Sequence, residues 1–60
     1  MKEWIGRKGK IFVRNLDSKA IVYTADVLSV EGSFMTIRDR DGNIISINLM
    51  DVIQIKGAEE

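Results

Sequence analysis

The chain contains no cysteine, no histidine and no proline. Without cysteine there is no disulfide framework and no thiolate zinc site. Without histidine the commonest general base and metal ligand is missing, and with it the usual nucleophile–base triads. Without proline every residue keeps a backbone donor for a ladder. No apolar run reaches the length of a membrane span, and no signal-peptide pattern opens the chain. A cytoplasmic location and no membrane partner are therefore expected. At 60 residues the chain forms one domain, whose core is small unless something supplements it. Disulfides, metals and oligomerisation are the usual supplements. Oligomerisation is the one left, so a homo-oligomer is expected.

What is present is apolar and evenly charged. Apolar residues make up 45% of the chain and the net charge is zero, enough for a globular core and too balanced for a strong global pull on polyanions. The two ends differ. Residues 1–20 carry a balance of +4, from Lys2, Arg7, Lys8, Lys10, Arg14 and Lys19 against Glu3 and Asp17; residues 21–60 carry −4. That asymmetry is either ordinary surface decoration or a basic edge for a polyanion or an oppositely charged subunit.

Hydrophobicity alternates with period two, and β-branched residues dominate. Strands are expected at 10–15, 20–30, 34–39, 43–48 and 52–56. The second is long and should bend near Ala25–Asp26. Asp17 and Ser18 suit the turn at 16–19. Gly32 supplies a positive φ in the turn at 31–33. Residues 48–51 break the alternation and suit a 3₁₀ turn. Gly57 should end the last strand, and 58–60 should fray. The opening nine residues form either a single helical turn or an irregular arm, with Trp4 and Ile5 plugging one end of the fold. The inward face is expected to hold Ile11, Val13, Ile21, Ala25, Val27, Val30, Met35, Ile37, Ile45, Ile47, Leu49, Val52 and Ile55. A one-residue slip in strand three would bury Phe34 and Thr36 instead, at a loss of apolar burial. The whole is an all-β, small five-stranded SH3-like barrel, residues 1–60 forming one domain.

The densest charge is "RDRDGN", residues 38–43. Asp41-Gly42 is a pair favoured in type I′ hairpin turns, so the stretch reads first as a solvated hairpin tip. Arg38 and Arg40 share one face and could hold a phosphate or a carboxylate bidentately. Asp39, Asp41 and Asn43 have the look of oxygen ligands, yet lack the downstream Glu of a calcium loop. "GRKGK" is not followed by the Lys-Ser/Thr of a phosphate loop. The two carboxylates at the tip are hydrated and make poor general acids. No catalytic residue, metal site or cofactor is expected.

"GKIFVRNLDSKAIVYTADVLSVEGSFMTI" resembles the first three strands of the Sm-like superfamily of small barrels, which includes the Hfq-type RNA chaperones. Tyr23, Ala25, Val27, Val30 and Glu31 fall in that pattern's order, and "INLMDVIQIKG" resembles its turn and last strand. The resemblance spans residues 9–57. Where the family has a strand-two glycine stands Ala25, and where it has Asp stands Glu31. The Asn that contacts a base is replaced by Thr36 or displaced. Leu49-Met50-Asp51 replaces a Tyr-Lys-His segment, and Lys56-Gly57 stands for an Arg-Gly. The resemblance implies a ring built by pairing strand four of one subunit with strand five of the next; the RNA pocket of the family is not reproduced.

Two readings of function follow. One is an oligomeric barrel that binds single-stranded RNA, with Lys8, Lys10, Arg14, Phe34, Arg38 and Arg40 as contact residues and the aromatics Trp4, Tyr23 and Phe34 available to stack bases. The other is a structural or adaptor barrel that binds protein. Either uses Ile44, Ile45, Ile53 and Ile55 as the oligomer interface.

Overall fold

The alternating runs of β-branched residues all form strands. A computed structural model describes residues 2–15, 17 and 19–57 of the chain. The strands are β1 (Lys8–Arg14), β2 (Ala20–Glu31), β3 (Phe34–Asp39), β4 (Ile44–Asn48) and β5 (Val52–Gly57). They pair antiparallel in a single sheet of order β4-β3-β2-β1-β5. Among the described residues no ladder joins β4 to β5, so the sheet is open and these two strands are its edges.

The length of β2 has a purpose. Residues Ala20–Asp26 pair with β1, and Ala25–Glu31 pair with β3. The changeover falls at Ala25–Asp26, where the bend is expected from the sequence. Just beyond it Leu28 and Ser29 together oppose Thr36, a bulge that increases local twist. β5 carries a second bulge: Val13 opposes Val52 and Phe12 opposes Gln54, which leaves Ile53 as the extra residue.

Among the described residues eight apolar side chains are buried: Ile11, Val13, Ala25, Val27, Val30, Met35, Ile37 and Ile47. Trp4, Tyr23, Ile45, Leu49, Val52 and Ile55 pack against them while partly exposed. The inward parity of β3 is therefore the one that buries Met35 and Ile37 and leaves Phe34 outside. Ile21 departs from expectation. It has inward parity opposite Val13 yet is exposed. Its half of β2 has β1 on one side and no β3 on the other, so it is covered only in part.

Strand ends differ slightly from the sequence reading. β1 starts at Lys8 rather than Lys10, because Gly9 already pairs with Ala25 and Gly57. Gly57 thus belongs to β5 and is its last residue. Gly9 is buried, and a Cβ there would lie 2.9 Å from the Lys56 carbonyl oxygen and 3.1 Å from Ile55 Cγ2. Only glycine lets β1 and β5 approach so closely. A 3₁₀ turn spans Lys2–Trp4, and from it Trp4 reaches to 3.2 Å from that same virtual Cβ. Trp4 covers this end of the core, whereas Ile5 is exposed. Gly32 has φ +57°, as its turn requires. The second 3₁₀ turn, Leu49–Asp51, is capped by Asn48, whose Oδ1 accepts from the Met50 N–H at 2.9 Å. In the 16–19 turn, Asn15 N–H donates to the Lys19 carbonyl at 3.0 Å, while Leu16 and Ser18 lie outside the described residues, as does the 58–60 tail.

Candidate nucleic-acid interface

The hairpin tip is built by Asp39. Asp39 Oδ1 accepts from the backbone N–H groups of Asp41 and Asn43, each at 2.9 Å, and Oδ2 accepts from Asn43 Nδ2 at 3.2 Å. Gly42 N–H donates to the Asp39 carbonyl at 3.1 Å, and Asp39 N–H donates to the Asn43 carbonyl at 3.0 Å. This is a three-residue loop with Gly42 at φ +86°, the turn-plus-bulge form of hairpin rather than the two-residue type I′ turn expected from Asp-Gly. The reason lies two residues before the pair. Asp39 offers a side-chain acceptor that pulls the loop one residue wider. The backbone N–H of Asn43, first among the donors, holds the Asp39 carboxyl below the usual aspartate range. The carboxylate is committed to the turn. Among the described residues no group of three His, Cys, Asp or Glu is placed to hold a metal.

The register brings part of the expected basic set together. Lys8, Asp26 and Arg38 lie in one cross-strand row on the outer face. With Thr24, Asp39 and Arg40 they line an open depression of about 290 Å³. Three cations and two carboxylates meet there, so its local charge is nearly balanced. A neighbouring depression shares Thr24, Asp39 and Arg40 and adds Val22, Tyr23 and Asp41.

Lys10, Arg14 and Phe34 lie elsewhere. Phe34 is at the far end of β3, opposite Glu31 and Asn48, and is exposed. Lys10 opposes Thr24 on one side and Lys56 on the other. Arg14 opposes Ala20 at the last rung of the β1–β2 ladder. Two residues outside the expected set join Lys10. Lys56 Nζ lies 5.6 Å from the centroid of the Phe12 ring, and Phe12 opposes Val22 and Gln54. Phe12 was legible: in "KGKIFVR" it shares the parity of Lys8, Lys10 and Arg14. Lys56 was not, since its place depends on the register of β5.

Of the four interface isoleucines, Ile44 and Ile53 are exposed, at 59% and 54%. Ile45 and Ile55 face inward and pack on the core. Comparison of the chain with protein-family models, with curated proteins and with solved structures finds no match.

Proposed function

We propose that the chain is a non-enzymatic binding module, a small Sm-like barrel that self-assembles through its sheet edges and binds single-stranded RNA. One observation carries the reading. Among the described residues the sheet ends in two unpaired edges, β4 and β5, and each presents an exposed isoleucine, Ile44 and Ile53. Unpaired edges with apolar side chains are pairing templates unless covered. Joining β4 of one copy to β5 of the next satisfies both and closes the curved sheet into a continuous assembly. The strand order and the division of β2 between two partners are what such a barrel requires. The bulge at Ile53 confines regular pairing on β5 to residues 54–57, so apolar area from Ile44, Ile53 and Met50 must supply much of the contact. Seven large apolar side chains remain exposed on the described chain, against eight apolar residues buried. A core that small is well served by assembly.

Sedimentation equilibrium tests this. The wild-type chain sediments as an oligomer at tens of micromolar, roughly where a weak specific interface still holds. Ile44→Lys with Ile53→Lys yields a folded monomer. A folded wild-type monomer at that concentration sinks the assembly reading. The second reading, a protein-binding adaptor, is favoured by the exposure of Met50 at 81% and Phe34 at 52%. Salt separates the two: retention on oligo-RNA falls steeply with ionic strength because phosphate contacts release counterions, and peptide contacts through Met50 and Phe34 do not.

A further inference from the structure

We infer that single-stranded nucleic acid lies along the outward face of β1, with Lys10, Arg14 and Lys56 on its phosphates and Phe12 beneath one base. This rests on the RNA reading above and assigns it a surface. The outward residues of β1 are Lys8, Lys10, Phe12 and Arg14. Their cross-strand neighbours on β2 are Asp26, Thr24, Val22 and Ala20, and on β5 Lys10 and Phe12 face Lys56 and Gln54. The only carboxylate in these rows is Asp26, in the row of Lys8. From Lys10 onward the rows of β1 hold cations and no acid, and the carboxylates of Asp39 and Asp41 come no nearer than the far side of Val22 and Thr24, whose depression they share.

Such segregation has a cost in the free protein. Like charges directly opposed across a ladder destabilise it, and Lys10 and Lys56 are so opposed. A polyanion relieves that repulsion. Outward side chains on one strand recur at about 7 Å, a spacing on the scale of successive phosphates in an extended single strand. The aromatic element is in the same patch: Phe12 is half-buried, with Val22 exposed beside it and Lys56 over its ring. Lys56 is long enough to leave the ring for a phosphate, which frees that face for a base. Base stacking on an aromatic is tolerant of sequence, so the surface fits single strands of any composition.

The test uses the intact protein and a fluorescently labelled oligouridylate, with anisotropy titrations over a salt series. Wild type binds at about 50 mM salt, and its affinity falls log-linearly as salt rises. Lys10→Gln with Lys56→Gln lowers the magnitude of that slope by about 1.4, from two single-strand phosphate contacts. Phe12→Val weakens binding at least about fivefold with the slope unchanged, the signature of lost stacking. Arg38→Gln with Arg40→Gln lowers the slope by less than the Lys10/Lys56 variant does, since Asp39 and Asp41 already balance the tip. If wild type binds but the Lys10/Lys56 variant keeps the full slope, the β1 surface is overturned and the RNA reading survives. If the tip variant alone loses the slope, the strand lies at the hairpin instead. If wild type does not bind, both fall. Should Phe12→Val fail to melt cooperatively, the slope of the lysine variant alone decides.

Discussion

The hairpin tip and the outward face of β1 both carry clustered cations, and they differ in what their charges do. At the tip, Arg38 and Arg40 alternate with Asp39 and Asp41, and Asp39 spends its carboxylate on three donors of its own loop. Along β1, Lys10 faces another lysine and has no acid in its row. The tip has the higher charge density and the β1 face the greater imbalance. Charge that is internally matched builds structure; charge left unmatched is available to a partner. The tip has an open depression of about 290 Å³, yet its two carboxylates make it a poor anion site.

The comparison depends first on parity. If Lys10 and Phe12 point outward, Ile11 between them is in the core, and it is fully buried. Ile11→Asp places an unpaired carboxylate there, at a cost above about 4 kcal/mol. For a domain of this size that removes the cooperative thermal transition, whereas Lys10→Asp retains it. A soluble Ile11→Asp protein with a normal melt breaks the assignment of faces.

The next test concerns the approach of β5 to β1, which creates the lysine pair. Gly9→Val puts a side chain 2.9 Å from the Lys56 carbonyl, against backbone that cannot yield. Overpacking of this kind costs about 1–3 kcal/mol, and each kcal/mol lowers Tm by about 4–8 °C in so small a domain. Amide exchange should speed in residues 54–57 more than in β3. Uniform loss of protection would mean that β5 does not dock as a separable edge.

How far these features were readable from the sequence follows from the range of the contacts. Met35 and Ile37 against Phe34 is a local choice of parity, and burial decides it. The 3₁₀ turn at Leu49–Asp51 announces itself by broken alternation after Asn48, a good cap. The changeover in β2 follows from a strand too long to serve one neighbour. Ile21 misleads because parity says which side a residue faces and not whether anything lies over it. The loop at 39–43 misleads because Asp41-Gly42 is read without the side chain of Asp39. The pairing of Lys10 with Lys56 depends on a non-local ladder and on the bulge at Ile53, and neither leaves a local mark.

Asp39 gives the tip a pH dependence. Its pKa is lowered in the folded state, first by the Asn43 N–H. A lowered folded pKa means that the unfolded state binds the proton more readily. The contribution is therefore full above the ordinary aspartate pKa of about 3.9 and is lost as pH falls through the lower folded value. Urea midpoints should drop on that acid limb in wild type, and the part due to Asp39 should vanish in Asp39→Ala, which is already weakened at neutral pH. A carboxyl carbon titration for Asp39 centred at or above the ordinary value would show that the tip is not self-satisfied.

The smallest expected effect is the most specific to the comparison. If the Lys10–Lys56 opposition is an unrelieved repulsion, replacing one partner by an acid turns a like pair into an unlike one. Lys10→Glu should stabilise the domain by about 0.2–1 kcal/mol, the range for cross-strand charge pairs. The sign is what matters, because most surface substitutions are neutral or destabilising. Salt supplies the control. Added salt screens the repulsion in wild type and the attraction in the variant, so the difference between them should shrink as the Debye length falls to about 3 Å near 1 M. Arg40→Glu at the tip, where acids already surround the position, should show the opposite sign. A Lys10→Glu protein less stable than wild type at low salt would mean that Lys56 is already matched, and that the β1 face is as balanced as the tip.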